Sequence, residues 1–410
     1  MKFASFLWYL IWGGMFTGIY ALQERNFLSN PFRFFQGARA LLPICAAYVC
    51  ILWILGNRSR FPYSRSPLAF MLYYCIVGII SSIFFSPQTI NALYWAVVYL
   101  SPFLVVWVIL DHGKAFVNIQ RLIRINYLVF ISLTASLFPQ AFGAGLGKIS
   151  HNQFYALPFN LGEIRSNGVG RYALVVSIIA VVRFLMLRNK SRYIWLALGF
   201  PSLFLLIQTQ SRTALLGLAI TASLFVFILG ADWRLIFVGP VASYLVWLSG
   251  VKWRLQGEVG QIVYLSGREY TWQKGLAMIK QSPFFGWGFN ADRILLDSEH
   301  MHNSYLHSMI HSGVLGGLLF LMGIISIWVL VFKKNLLRRI RTVGDSEHVL
   351  LIESILIIGF LTSRSFFEST AAFYGVDLLL IVPSITYIML WISKSATEDK
   401  PQLASSLGTE

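Results

Sequence analysis

Twelve apolar stretches follow one another along this chain, each the core of a helix of the kind that crosses the roughly 30 Å hydrocarbon slab of a bilayer, and that succession limits the fold more than any other feature. They lie near Phe3–Leu22, Ala40–Leu55, Leu68–Phe85, Leu93–Leu110, Ile125–Phe138, Tyr172–Leu187, Tyr193–Ile207, Ala214–Leu229, Leu235–Leu248, Ile310–Phe332, Val349–Leu361 and Tyr374–Trp391. In lipid only a backbone that satisfies its own hydrogen bonds is tolerated, so each stretch is expected as a helix. With 57% hydrophobic and only 12% charged residues, the chain cannot hide its apolar surface in one water-soluble core. The first stretch follows Lys2 but shows no small-x-small cleavage site before Gln23, so a retained helix is expected. Cys45, Cys50 and Cys75 fall inside predicted spans and read as packing residues.

A net charge of +16 invites a nucleic-acid reading. The basic residues instead sit in short connections, where they set topology. Arg58, Arg60 and Arg65 follow the second stretch; Lys114, Arg121 and Arg124 the fourth; Arg188, Lys190 and Arg192 the sixth; Lys333, Lys334, Arg338, Arg339 and Arg341 the tenth. These connections and both termini are expected in the cytoplasm, with Arg183 snorkelling to that interface. The remaining connections face outward, and Gln140–Arg171 and Val251–Asn303 are long enough to carry function. The chain divides accordingly: nine helices over 1–250 with a medium outward loop near 140–171, a large outward loop over 251–303 before the tenth helix, three helices over 304–393, and a polar tail over 394–410.

On the outward side, four residues distant in sequence come to one face: Arg212, Arg268, His302 and Arg364. An arginine at the depth of Arg212 calls for an anion, or for lipid headgroups. Arg268 follows Gly267 at a possible helix start, where backbone N–H groups favour anions, although Glu269 offers a local ion pair. His302 precedes the tenth stretch and can take a proton as a general base, while Asn303 or Ser304 can cap the helix that follows. Arg364 either adds a contact to that anion or pairs with Glu368. Arg165 and Arg171 flank a glycine-rich turn, and Glu353 and Asp377 are acids inside predicted spans, which leaves a transporter as the reading from another class.

Ala277–Asn290 reads as an amphipathic helix stopped by Pro283 and followed by glycines interleaved with aromatics, a lid at the membrane surface whose rings, Trp287 among them, either sit in the headgroup belt or stack on a sugar. His300, His302, His307 and His311 crowd together, but the loop has no HExxH, cysteine partner or carboxylate pair at ligand spacing. No metal is expected, and His307 and His311 read as packing residues. The chain also lacks DxD, Walker A and GxGxxG motifs, so no nucleotide or dinucleotide cofactor is expected.

Gln210-Ser211-Arg212-Thr213, Ser266-Gly267-Arg268-Glu269, Lys280-Gln281-Ser282-Pro283-Phe284-Phe285-Gly286-Trp287-Gly288 and His302-Asn303-Ser304-Tyr305-Leu306 with Gly313 and Gly316-Gly317 together resemble the O-antigen ligase and polymerase superfamily. The resemblance is concentrated in Gln208–Leu321. It implies an all-α, C-type membrane glycosyltransferase of the bacterial inner membrane, acting without cofactor at the periplasmic face in lipopolysaccharide biosynthesis. Its donor would be an undecaprenyl-diphosphate-linked glycan, and its acceptor lipid A–core in a ligase or a second lipid-linked glycan in a polymerase. By the same resemblance Arg212 and Arg268 would hold the donor diphosphate, and Arg364, by its position alone, is a candidate for a third contact to it. His302 would activate the acceptor hydroxyl, and Trp287, Asn303 and Tyr305 would contact glycan or lid. Membrane lipids, and no nucleic acid, complete the expected partners.

Overall fold

The computed structural model describes residues 3–16, 33–64, 66–144, 154–155, 163–164, 166–209, 211–230, 268–296, 299–333, 336, 340 and 346–398. Among them the chain is helical apart from one antiparallel pair of two-residue strands, β1 (Phe154–Tyr155) and β2 (Glu163–Ile164). The helices are α1 (Phe3–Gly14), α2 (Arg33–Asn57), α3 (Pro67–Phe84), α4 (Thr89–Asp111), α5 (Ala115–Ala144), α6 (Ser166–Met186), α7 (Arg192–Thr209) and α8 (Arg212–Leu229), then α9 (Arg268–Gln281), α10 (Ala291–Leu295), α11 (Ser304–Val331), α12 (Ser346–Arg364) and α13 (Val376–Glu398).

Eight of these, α3 to α8, α11 and α13, are long and apolar enough to span a membrane. The protein is therefore a polytopic membrane protein. Of the other predicted stretches, three coincide with α1, α2 and α12, and Leu235–Leu248 lies outside the described residues, as do Arg165 and the tail beyond 398. The fifth stretch is longer than its apolar core suggested. Thirty residues of α5, about 45 Å at 1.5 Å per residue, carry Arg121 and Arg124 on the helix itself instead of in a connection.

Ser66 starts α3 by accepting the Leu68 N–H, with Pro67 in the first turn where a missing donor does no harm. Helix α6 packs on α7, α11 on α3, α2 on α4, and α12 on α8 and α13. Small residues permit the close pairs: a Cβ at Gly217 of α8 would fall 2.4 Å from Phe360 of α12. Buried amides tie the bundle across its width, since the Trp12 indole donates to Asn126 at 2.7 Å and Asn126 donates to the Leu379 carbonyl at 2.9 Å.

Arg183 departs from expectation. It turns into the bundle, donating to both carboxylate oxygens of Glu353 at 2.6 and 3.2 Å, with its guanidinium 4.2 Å over Trp195. Glu353 is fully buried, so the pair satisfies both charges inside the protein and snorkelling is unnecessary. Glu353→Ala leaves a cation without its anion and is expected to cost about 3–5 kcal/mol. Unfolding of the detergent-solubilised protein measures this; an unchanged midpoint would show that the pair contributes nothing.

Candidate active site at one end of the bundle

The N-terminal ends of α6, α8, α11 and α13 and the C-terminal ends of α7 and α12 meet at the end of the bundle opposite Arg183 and Glu353, and α9 lies beside them. The alternation of basic connections expects this gathering. Its centre is a residue that sequence reasoning treated only as a possible neighbour of Arg364. Glu368, in the turn between α12 and α13, is buried and receives three side chains from distant parts of the chain. Arg268 at the start of α9 donates to Oε1 at 3.0 Å, Asn167 at the start of α6 donates to the same oxygen at 3.2 Å, and His302 Nδ1 lies 2.9 Å from Oε2. Arg268 also donates to the Phe367 carbonyl.

Burial opposes the charge of Glu368, but the hydrogen bond from His302 and the charges of Arg364, His302 and Arg268 outweigh it and hold the carboxyl well below the usual carboxylate range. An ionised carboxylate only accepts, so Nδ1 of His302 carries a proton, and in the neutral ring the lone pair left for a substrate is on Nε2. The ring is 31% exposed, enough for a substrate to reach it. Its backbone sits in the left-handed region at φ 48°, a conformation that a histidine keeps only when its surroundings impose it. Those surroundings are Asn303, which caps α11 by accepting the Tyr305 and Leu306 N–H groups at 3.0 Å and donates to the Phe366 carbonyl, and Ser304, whose hydroxyl lies 2.8 Å from the Glu368 and Thr370 carbonyls.

The depressed carboxyl fixes the sign of a pH effect. Its contribution to stability is complete above the unfolded-chain value of about 4.3 and is lost only as pH falls through the lower folded value. The gap in thermal midpoint between wild type and Glu368→Gln is therefore expected not to close between neutral pH and about pH 5 and to shrink below about pH 4. A gap that closes between neutral pH and pH 5 would contradict this.

Arg212 begins α8 and is exposed. It joins the cluster through its neighbour, because the Ser211 hydroxyl donates to the Asn167 side chain at 3.1 Å and Asn167 in turn donates to Glu368. Ser211 consequently makes no side-chain cap for α8. Arg364 is placed differently. It is buried, and Nη1 donates to Asp377 at 2.6 Å and to Thr370 at 3.0 Å, so its ion-pair partner is Asp377, not Glu368. Asp377 also accepts from Arg171 at 2.9 Å. One carboxylate between two guanidiniums leaves a positive charge beneath the Glu368 turn.

The amphipathic helix begins earlier than Ala277, as α9 from Arg268, and ends before Pro283 as expected. The turn after it threads into α11 and seats Trp287: its backbone donates to the Ile310 carbonyl at 2.8 Å, and its indole closes back on Met278 at 2.9 Å. Half-buried Tyr305 packs on Phe366, with ring centroids 5.1 Å apart.

His307 and His311 are fully buried on α11 and face Asp292 of α10, with His300 beside it. Asp292 is the carboxylate that the loop pattern did not reveal, because it reaches the histidines by a turn of the backbone and not by helical spacing.

No curated protein matches the chain. Residues 197–321, from α7 through the first two-thirds of α11, match the family model described as O-Antigen ligase, and Arg212, Arg268 and His302 all fall within that segment.

Proposed function

We propose that this protein is a membrane glycosyltransferase that moves a glycan from undecaprenyl diphosphate to lipid A–core at the periplasmic face of the inner membrane, in lipopolysaccharide biosynthesis. Ligase- or polymerase-type chemistry on lipid-linked glycans is the level that the family match supports. The observation that carries the finer reading is the Glu368 junction: one buried carboxylate orients His302 and Arg268 together, at the end of the bundle where α8 presents Arg212.

The chemistry follows from the groups present. A donor diphosphate gains negative charge as it leaves the anomeric carbon, and guanidiniums stabilise that charge directionally. Arg212 projects from a helix start whose cap position is vacated by Ser211, an arrangement suited to a phosphate. His302 Nε2 takes the proton of the acceptor hydroxyl, and the hydroxyl oxygen forms the new bond to the anomeric carbon. The bond from that carbon to the diphosphate oxygen breaks, its electron pair goes to the diphosphate, and the configuration inverts. Arg364 acts from below, holding the turn that bears Glu368. No cation at the diphosphate is required, because the arginines supply the positive charge. Trp287, Asn303 and Tyr305 shape the surface around His302 from the lid and the first turn of α11. The two acids inside the bundle are both paired with arginine, Glu353 with Arg183 and Asp377 with Arg171 and Arg364. Neither is a lone ionisable group of the kind ion coupling would use.

The test is transfer by the purified, reconstituted protein from a polyprenyl-diphosphate-linked glycan, with lipid A–core present. Glycan appearing on lipid A–core is the expected result. Elongation on the polyprenyl carrier alone would make the protein a polymerase, and no transfer to either acceptor would overturn the enzyme reading.

A further inference from the structure

A second polar cluster lies behind His302, and the transfer chemistry does not use it. Asp292 is fully buried, yet its Oδ1 has no hydrogen-bond donor. His307 Nε2 lies 3.4 Å and His311 Nε2 3.7 Å from that oxygen, and the two nitrogens are 2.8 Å apart. His300 Nδ1 is 2.7 Å from Oδ2. Asp292, His300 and His307 each offer one ligand atom, all within 4.8 Å of one another.

The neighbouring hydrogen bonds fix where the lone pairs point. The Tyr74 hydroxyl spends its only proton on the Ala372 carbonyl at 2.7 Å, so at 3.1 Å it can only accept from His311 Nδ1. His311 Nε2 is therefore a lone pair facing Asp292. The far nitrogen of His307 also has an outer partner, with Nδ1 2.7 Å from the Ser369 hydroxyl, which can accept its proton. This is how metal-binding imidazoles are oriented: one nitrogen fixed by an outer partner, the other turned to the ion. If a proton alone fills the gap, His307 donates to His311, and Asp292 Oδ1 remains a buried acceptor without a donor, while Oδ2 takes His300 and the Met301 N–H at 3.4 Å. The backbone N–H of Asn290, 3.1 Å from His311 Nε2, would have to turn aside for a metal to bind there.

We propose that Asp292, His300, His307 and His311 bind a divalent transition metal of the zinc class, as a closed structural site. Three imidazoles and a carboxylate suit that ion. Ligands about 2.0–2.1 Å from a tetrahedral metal stand about 3.3–3.4 Å apart, the separation found between Asp292 and His307. The His307–His311 pair has to open by about 0.5 Å to match. The ion would pin α10 and the loop after it to α11, two residues from His302, without touching substrate. The inference does not depend on the transfer reaction.

The experiment measures metal in the tag-free, full-length protein purified in detergent without chelator. About one zinc per chain is expected in wild type and in His302→Ala, falling to below about a tenth in Asp292→Asn and His307→Ala. Because those variants can also misfold, the wild-type protein is stripped and titrated with cobalt(II) alone, and the visible absorption of tetrahedral cobalt is expected to saturate at one equivalent. Wild type that holds no zinc and develops no such spectrum overturns the proposal. Metal content unchanged in Asp292→Asn, or lost in His302→Ala, overturns this location.

Discussion

His302→Ala is expected to lower glycan transfer by about 10²–10⁴-fold, the range a positioned general base contributes, while the protein remains inserted and folded. The side chain is partly exposed, its ring makes one hydrogen bond in the cluster, and the cap of α11 is carried by Asn303, so its removal subtracts chemistry before structure. Glu368→Gln is the sharper companion. An amide in place of the carboxylate can present an N–H to His302 Nδ1, which turns the imidazole to the tautomer with its proton on Nε2. It also removes the anion that holds Arg268. Transfer should fall in this variant although His302 is intact, and the loss should appear in kcat and not only in KM. Initial rates in proteoliposomes with both substrates varied make the measurement. His302→Ala with a rate within about threefold of wild type would move the base elsewhere. Glu368→Gln with full activity would leave the carboxylate a purely structural role.

The two halves of this site differ in how far they could be read from sequence. Arg212 and His302 stand out because they sit close to apolar stretches, where a polar group is conspicuous, and Arg268 because it follows a glycine at a possible helix start; the basic connections fix which end of the bundle they share. Glu368 has no such mark. It follows Arg364 by one helical turn, so local spacing suggests a pair between those two, whereas Arg268 approaches it from 100 residues away and Arg364 finds Asp377 instead. Asp292 is hidden for the same reason, since histidine spacing along α11 predicts a shared face but says nothing of a loop folded back upon it. Arg183 shows the limit of reading charges one at a time. Its place near a basic connection suggested lipid headgroups, and only packing of α6 on α12 reveals Glu353. Apolar runs located the described spans well because the hydrocarbon imposes one length. They underestimated α5, where the helix continues past its apolar part on hydrogen bonds that need no lipid.

The largest structural effect is expected at Gly313. Helix α11 is interrupted there: Ser312 has φ −136° and ψ 21°, and Gly313 has φ 64° and ψ −171°, a combination open essentially to glycine alone. The break releases the Ile310 and His311 carbonyls to the Trp287 and Gly288 N–H groups at 2.8 and 2.9 Å, while the Val314 N–H donates to the Pro283 carbonyl at 2.7 Å. The lid turn is thus threaded through the helix break by three backbone hydrogen bonds. A Cβ at position 313 would lie 2.1 Å from the Phe284 carbonyl oxygen, and backbone cannot yield there as a flexible side chain can. Gly313→Ala combines strain of about 1–3 kcal/mol with loss of up to three hydrogen bonds of about 1 kcal/mol each, a total of about 3–6 kcal/mol. That exceeds half the stability of many domains. Gly56→Ala on α2 meets nothing within 4 Å and serves as the control, with no loss expected. Thermal unfolding of both variants in detergent, with limited proteolysis across 282–290, separates the outcomes. The expected result is a lower midpoint and a cleavable lid turn for Gly313→Ala alone. Equal midpoints would mean that the lid and α11 fold without this crossing, and the packing that sets His302 against Glu368 would need another origin.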